Sequence, residues 1–270
     1  MASPNQPYEA ELAVRVDSSS LAGALDVVAL DSRAVPVKVV FGADGMTVWT
    51  HDSARTIQVC MDTFPLKDYK ADETCSAVVN PDTMSSLLKS KFNGTIELSA
   101  EDSKISIRDK GGSRVQYYAA DEDECNTIPD HWRLGMDDGW VTFPMLDNKR
   151  ATTRAMISVE ELSNGLVDMK VSGAPYVVFT FNAGDSPSFC RSGHWGAKST
   201  DSLTIVEADV EGEQVEVCFT TALQSVLSRF PNSSKVMIQK HEEAPFFVMH
   251  SLPGTDGDIL VVATEAVREA

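Results

Sequence analysis

Cys190-Arg191-Ser192-Gly193-His194 sets a thiol and an imidazole four residues apart, two ligand types that zinc accepts. A zinc site needs four ligands, or three and a water, and no second pair stands near them. His51-Asp52 joins an imidazole to a carboxylate, as a base and its orienting acid would be joined, but it falls at a turn beside an exposed acid. His241-Glu242-Glu243 opens like the helical His-Glu of zinc proteases, yet Pro245 stands where the second histidine belongs. Glu122, Asp123 and Glu124 read as a solvated linker rather than a cation site. The chain has no phosphate-cradling GxxxxGK[ST], no GxGxxG after a strand and no GxSxG elbow. No catalytic residue, no metal ligand and no cofactor is therefore assigned. A β-rich hydrolase or metalloprotein using Cys190 and His194 is kept as an alternative reading.

The chemistry of this chain lies instead in its charge. The formal net charge is −17 over 270 residues. Met1–Tyr118 carries −4, Ala119–Arg150 −5 and Ala151–Ala270 −8, so the acid is spread along the whole sequence. Such a surface repels nucleic acid at low salt, since phosphate affinity comes from Lys and Arg. Its spread over both halves is expected of a protein adapted to a salty cytoplasm. A hydrophobic fraction of 43% is enough for packed cores. No apolar run reaches the ~18 residues of a membrane span. Met1–Pro7 lacks the basic and apolar stretches of a secretory signal. The five cysteines are scattered, with no CxxC, and the expected setting is reducing and intracellular.

The elements that would carry any site follow from periodicity. Alternation predicts strands at Glu9–Val16, Val37–Phe41, Met46–Thr50, Thr56–Met61, Cys75–Val79, Thr95–Ser99, Lys104–Arg108 and Ser113–Tyr118. Asp17-Ser18-Ser19-Ser20 caps a helix on which Leu21, Leu25 and Val28 share a face, and Asn80-Pro81-Asp82 caps another through Leu88. From Ala119 the alternation stops. Pro129, Gly135 and Gly139 punctuate a linker with one embedded strand at Trp140–Met145. Strands resume at Thr152–Ile157, Tyr176–Phe181, Ser188–Gly193, Leu203–Val210, Val215–Phe219, Lys235–Gln239, Pro245–Ser251 and Asp258–Thr264. Helices are expected at Val159–Met169 and Thr221–Arg229.

These elements occur twice. Thr83–Phe92 before Thr95–Leu98 and Lys104–Ile107 is matched by Ala222–Phe230 before Lys235–Ile238 and Phe246–Val248. Ser20–Asp26 before Val37–Phe41 is matched by Glu161–Val167 before Tyr176–Phe181. Two copies make a duplicated domain rather than a solenoid. The expected fold class is α+β, with two similar β-rich domains of two short helices each, at residues 1–118 and 151–270, joined by 119–150.

The order resembles the PCNA-type DNA sliding clamps of archaea, eukaryotes and some of their viruses. Tyr8-Glu9-Ala10-Glu11-Leu12 is similar to the family's opening strand. Asp44-Gly45-Met46 and His51-Asp52-Ser53-Ala54-Arg55 resemble its strand and following turn. Asn126-Thr127-Ile128-Pro129 falls where the connecting loop has its Ile-Pro element, and Ala244-Pro245 with Leu260-Val261-Val262-Ala263 resembles the closing strands. The resemblance implies a homotrimeric ring, a processivity factor that encircles duplex DNA without reading its sequence. It further implies tethering of DNA polymerase, clamp loader and other proteins bearing PCNA-interacting peptides, in the nucleoid-associated cytoplasm of a prokaryotic cell or a virus-infected host. Related readings are one subunit of a heteromeric, checkpoint-type clamp, and a viral clamp serving a host's replication machinery.

Residue by residue, the resemblance implies DNA-facing Lys89, Lys91, Lys170 and Arg229. It implies a partner-peptide pocket of His51, Thr56, Gln58, Asn126, Ile128, Pro129, Pro245, Val261 and Ala263. It implies a subunit interface at Val115 and Tyr117 on one side and Leu203 and Ile205 on the other. The sequence departs from the family in three respects. Its first inner helix has no basic residue, its pocket carries polar Thr56, Gln58 and Asn126, and Arg133–Arg150 is an insertion.

Overall fold

Asp17 ends the first strand and starts the first helix by one device. Its carboxylate accepts the Ser19 and Ser20 amides at 3.1 and 3.0 Å and the Ser19 hydroxyl at 2.5 Å, pairing donors that a helix start leaves open. Burial raises the Asp17 carboxyl, but the Ser19 and Ser20 bonds and the charge of Lys67 outweigh it and hold it below its ordinary value. The computed structural model describes residues 13–29, 35–51, 57–64, 66–101, 104–118, 122–125, 135–143, 146–172, 176–184, 186–193, 202–220, 227, 230, 232–242, 246–251 and 258–263. They fall into two units, Met1–Val48 with Asp62–Cys125, and Trp49–Met61 with Asn126–Ala270.

β1 (Ala13–Asp17) leads into α1 (Ser18–Val28), followed by β2 (Val37–Gly42), β3 (Gly45–His51), β4 (Ile57–Phe64) and β5 (Lys70–Ala71). All belong to the first unit except the end of β3 from Trp49 and β4 as far as Met61, which belong to the second. Next come β6 (Cys75–Val79), α2 (Pro81–Lys91), β7 (Thr95–Glu101), β8 (Lys104–Asp109) and β9 (Arg114–Tyr118). One sheet has the order β5-β1-β7-β8-β9, and β2 lies between β3 and β6. Val14, Val16, Ile96, Leu98, Ile105 and Ile107 form the buried face of the first sheet. α2 runs three residues past the expected Leu88. Asn80 caps it through the Thr83 amide at 2.9 Å, and Pro81 opens it, where a missing N–H costs nothing.

After residue 126 the second unit continues with a small antiparallel sheet of β10 (Gly135–Asp137), β11 (Trp140–Phe143) and β12 (Lys149–Arg150). One strand was expected there, and three are present. The two-residue turn Asp138-Gly139, with φ of 48° and 77°, closes the β10–β11 hairpin in the twist-matched form such turns favour. Trp140, Val141 and Phe143 are buried. The buried Gln239 side chain accepts the Val141 amide and donates to the Gly139 carbonyl, both at 2.9 Å. Arg150 and Arg154 lie 4.9 and 4.7 Å from the Trp140 ring centre. The insertion is thus a folded part of this unit.

Then follow β13 (Thr153–Ser158), α3 (Val159–Ser172), β14 (Tyr176–Phe181), β15 (Ser188–Gly193), β16 (Ser202–Val206), β17 (Ala208–Gly212) and β18 (Val215–Thr220). The chain continues through β19 (Lys235–Lys240), β20 (Phe246–Ser251) and β21 (Asp258–Ala263). The expected single strand Leu203–Val210 is two strands. β16 pairs with β15 and β17 with β13, so the segment changes sheets at Glu207. Of the expected helix Thr221–Arg229, only Leu227 lies within the described residues; it is helical and buried.

The duplication is visible in the topology. β1 lies between β5 and β7 as β13 lies between β17 and β19, and each runs straight into a helix. β2 lies between β3 and β6 as β14 lies between β15 and β18. The registers extend the match: Leu98 faces Ile107, which faces Val115, as Ile238 faces Val248, which faces Val261. The fold is mixed α and β, rich in strands, with the α-helices α1, α2 and α3 and a single 3-10 turn at Glu122–Glu124, besides helical Leu227, among the described residues.

Candidate functional site

Three surfaces carry the residues that sequence reasoning singled out. The first is the helix pair α1–α2. Asp26 on α1 accepts the Ser85 hydroxyl at 2.5 Å and pairs with the Lys89 ammonium, while Ser85 also reaches the Ala22 carbonyl at 3.2 Å. Lys89 is therefore tied to a carboxylate of the neighbouring helix. Lys91 is exposed. Lys170 falls in α3, with its side chain outside the described residues, and Arg229 lies outside them altogether. By formal charge α1 carries −1, α2 +1 and α3 −2. The three helices together sum to −2, where the resemblance implies a basic set.

The second surface is a pair of sheet edges. β9 ends the five-stranded sheet and β16 ends the four-stranded sheet β16-β15-β14-β18. Leu203 and Ile205 on β16 are 66% and 68% exposed, above Val167, the other exposed large apolar side chain among the described residues. Thr204 faces the buried Cys190, so Leu203 and Ile205 take the opposite face of the strand. On β9, Val115 and Tyr117 face the buried Ile107 and Ile105. The Tyr117 hydroxyl accepts the Asn80 amide at 2.7 Å, which ties the edge strand to the start of α2. Burial pushes the Tyr117 hydroxyl pKa up, against the opposing pull of the Asn80 bond.

The third is the partner-peptide pocket. Its described members lie on three strands of the second unit: His51 at the end of β3, Gln58 on β4, and Val261 and Ala263 on β21. β4 and β21 pair antiparallel. Gln58 stands opposite Val262, and Val261 and Ala263 stand opposite Val59 and Ile57. The register thus seats Gln58 at a position of one face of the ladder, and Val261 and Ala263 at positions of the other. Thr56, Asn126, Ile128, Pro129 and Pro245 lie outside the described residues.

The Cys190–His194 reading fares differently. Cys190 is 2% exposed, beneath α3, where a Cβ added at Gly165 would come within 2.9 Å of its sulfur. A thiol so enclosed has no open position for a water or a substrate. His194 lies outside the described residues, and no group of three or more His, Cys, Asp or Glu could hold a metal ion among the described residues. No described helix is long and apolar enough to cross a membrane.

Sequence reasoning missed the fit of the insertion to Gln239. A glutamine within the alternating run Lys235–Gln239 is the signal for it: an amide on a buried strand position needs partners.

No protein-family model matches the sequence, and neither does any curated protein. Solved structures do match in fold. One, the C-terminal region of FEN-1 bound to A. fulgidus PCNA, aligns with a TM-score of 0.72 at 13% identity, covering 96% of this chain and 100% of that one. Another, a PCNA2-PCNA3 complex from Sulfolobus tokodaii, aligns with a TM-score of 0.67 at 11% identity, covering 93% and 98%. Over nearly its whole length, the chain has the fold of the PCNA sliding clamps.

Proposed function

We propose that this protein is a DNA sliding clamp, a non-enzymatic processivity factor whose subunits close into a ring around duplex DNA. One observation carries the reading. β9 and β21 are equivalent strands of the duplication, and β4 and β16 likewise each follow a hairpin, β2–β3 or β14–β15. Within the chain β21 pairs antiparallel with β4, whereas among the described residues β9 and β16 are left as sheet edges. The equivalent of the β21–β4 junction is therefore β9 of one subunit on β16 of the next, with Val115 in the place of Val261. Repeating a head-to-tail junction closes a ring and removes exposed edges. Three subunits of two domains give six similar domains, at residues 1–118 and 151–270, joined by 119–150, whose strands β10–β12 pack on the second domain through Gln239.

Such a ring holds DNA topologically, so loose phosphate contacts suffice. Lys89, Lys91, Lys170 and Arg229 supply them, and the ring raises the local concentration of tethered proteins. A polymerase or other partner peptide adds its extended arm near Ala263 and Asn126 and sets apolar anchors against Ile128, Pro129, Pro245 and Val261, flanked by His51 and Thr56. Clamp loader and polymerase are partners of the same kind, and the ring works where the chromosome lies.

Light scattering on the purified chain tests ring closure, and retention on nicked circular DNA with release on linearisation tests encirclement. Val115→Pro removes a ladder donor from β9 and is expected to give monomers. A Val115→Pro variant that stays fully trimeric would sink the assignment. The PCNA2-PCNA3 complex favours a second reading, a heteromeric ring, in which the lone chain stays monomeric and trimerises with a sister subunit.

A further inference from the structure

The exposed face of the five-stranded sheet carries cations in a line. Register sets Lys70 opposite Arg15, Arg15 opposite Glu97, Glu97 opposite Arg108 and Arg108 opposite Arg114. Opposed residues share a face, and all five are exposed. Four of the twelve basic residues of Met1–Tyr118 thus stand on one rung, in a chain of net charge −17. Lys70 pairs with Asp72 at 2.7 Å and Arg114 reaches the Ser106 hydroxyl at 3.5 Å. Arg15 and Arg108 make no ion pair among the described residues. Between them lies a shallow cleft of about 430 Å³, whose charged lining is Arg15, Lys70, Asp72, Glu97 and Arg108; Lys70 neutralises Asp72, which leaves Arg15 and Arg108 as the unpaired cations among the described residues. The small side chains of Ala13 and Ser99 form the next rung and let a chain approach the sheet closely.

We propose that this face docks an acidic polypeptide segment that presents two carboxylates four residues apart in an extended chain. Strands lie about 4.8 Å apart, so the cations span about 10 Å from Arg15 to Arg108 and about 19 Å from Lys70 to Arg114. Alternate residues of an extended chain point the same way, and positions i and i+4 stand about 14 Å apart. That is wider than the Arg15–Arg108 strand spacing and inside that of Lys70 and Arg114, a difference the long arginine side chains bridge by splaying outward. Glu97 marks the middle of the line and opposes a third negative charge at i+2. A nucleic-acid strand carries phosphates without such a gap, and the acidity of the whole chain repels a long polyanion. Arg15 and Arg108 are suited to bidentate carboxylate pairing. The buried face of the same sheet carries the Tyr117–Asn80 link to α2, so docking on the exposed face leaves the helices unobstructed.

Fluorescence anisotropy on the full chain at low salt tests this with three labelled probes. They are the peptides Gly-Glu-Ser-Lys-Ser-Glu-Gly and Gly-Glu-Ser-Glu-Ser-Glu-Gly, and a ten-nucleotide oligothymidylate. The two-carboxylate peptide is expected to bind at least as tightly as the three-carboxylate one, despite its lower charge. Its affinity is expected to fall tenfold or more in Arg15→Glu/Arg108→Glu, severalfold in Arg15→Gln/Arg108→Gln, and not in Lys235→Glu. Tighter binding of the three-carboxylate peptide or of the oligonucleotide overturns the proposal. So does equal behaviour of wild type and both double variants, including no binding by any. The readout is independent of whether rings form.

Discussion

Two helical glycines with opposite surroundings give a sharp test of the packing described above. Gly165 lies in α3, where a Cβ would meet Phe179 Cζ at 2.7 Å, the Cys190 sulfur at 2.9 Å and Phe179 Cε1 at 3.1 Å. Phe179 is fully buried and Cys190 is 2% exposed, so neither side chain has room to swing aside. Gly23 lies in α1, where a Cβ would meet nothing within 4 Å. Alanine in a helix interior is worth about 1 kcal/mol over glycine, and Gly23→Ala is expected to gain close to that. At Gly165 the same gain is set against overpacking, which costs about 1–3 kcal/mol. Two contacts under 3 Å place the cost at the upper end, leaving a net loss of about 1–2 kcal/mol. Urea unfolding followed by circular dichroism reads both. With a slope of about 2 kcal/mol per molar urea, the Gly165→Ala midpoint falls by roughly 0.5–1 M while that of Gly23→Ala rises. A Gly165→Ala protein as stable as wild type would show that α3 does not sit so close to the sheet, and the reasoning would fail.

Asp17→Ala removes the cap of α1 and is expected to cost about 1 kcal/mol at neutral pH. Because the folded carboxyl titrates below its ordinary value, its contribution is full above the unfolded value and is lost as pH falls through the folded one. Urea midpoints of wild type and Asp17→Ala should therefore converge in acid, and a gap that persists unchanged at pH 2 would contradict the cap. Gln239→Leu leaves the Val141 amide and the Gly139 carbonyl without their partner, at about 1–3 kcal/mol. Hydrogen exchange at Val141 should accelerate far more than at Ile157 in β13; equal acceleration would mean that the insertion is not held by Gln239. If salt adaptation governs assembly, the trimer fraction of this acidic chain is expected to rise from low to molar salt as repulsion is screened. A trimer most stable at low salt, measured by light scattering, would refute that.

Alternation made most strands legible, and the duplicated order of elements made the fold class so. Asp17 and Asn80 announced two helix starts through the side chains that cap them. What was not legible depends on partners distant in sequence. The break at Glu207 is invisible in Leu203–Val210 because both halves alternate; only pairing with β15 and then β13 separates them. The insertion resembled a linker because its strands are two to four residues long, too short for periodicity to declare, and its partner Gln239 comes about 100 residues later. The pairing of Lys89 with Asp26 was equally hidden, since the sequence separates them by 63 residues. The basic rung was hidden for the same reason, because register, not spacing, lines up Lys70, Arg15, Arg108 and Arg114.

That rung and the Lys89–Asp26 pair bear on one question, how so acidic a protein would surround DNA. In the first unit the cations are unevenly placed. α1 and α2 together carry no net charge, with Lys89 bound to Asp26, while the exposed face of the sheet collects Lys70, Arg15, Arg108 and Arg114. A channel lined by strong cations would grip phosphate and tighten steeply as salt falls. A near-neutral lining in a closed ring gives up that grip and relies on topology, so retention depends on the ring junctions rather than on phosphate contacts. At high salt the arrangement loses little, because screening within a few ångströms would erase most of a basic lining's attraction in any case. The cost falls at low salt, where acidic subunits repel one another and DNA together. Charge placement and ring closure are therefore one problem in the proposed clamp. The β9–β16 junction has to supply, through backbone pairing and the exposed Leu203 and Ile205, the holding power that phosphate contacts do not.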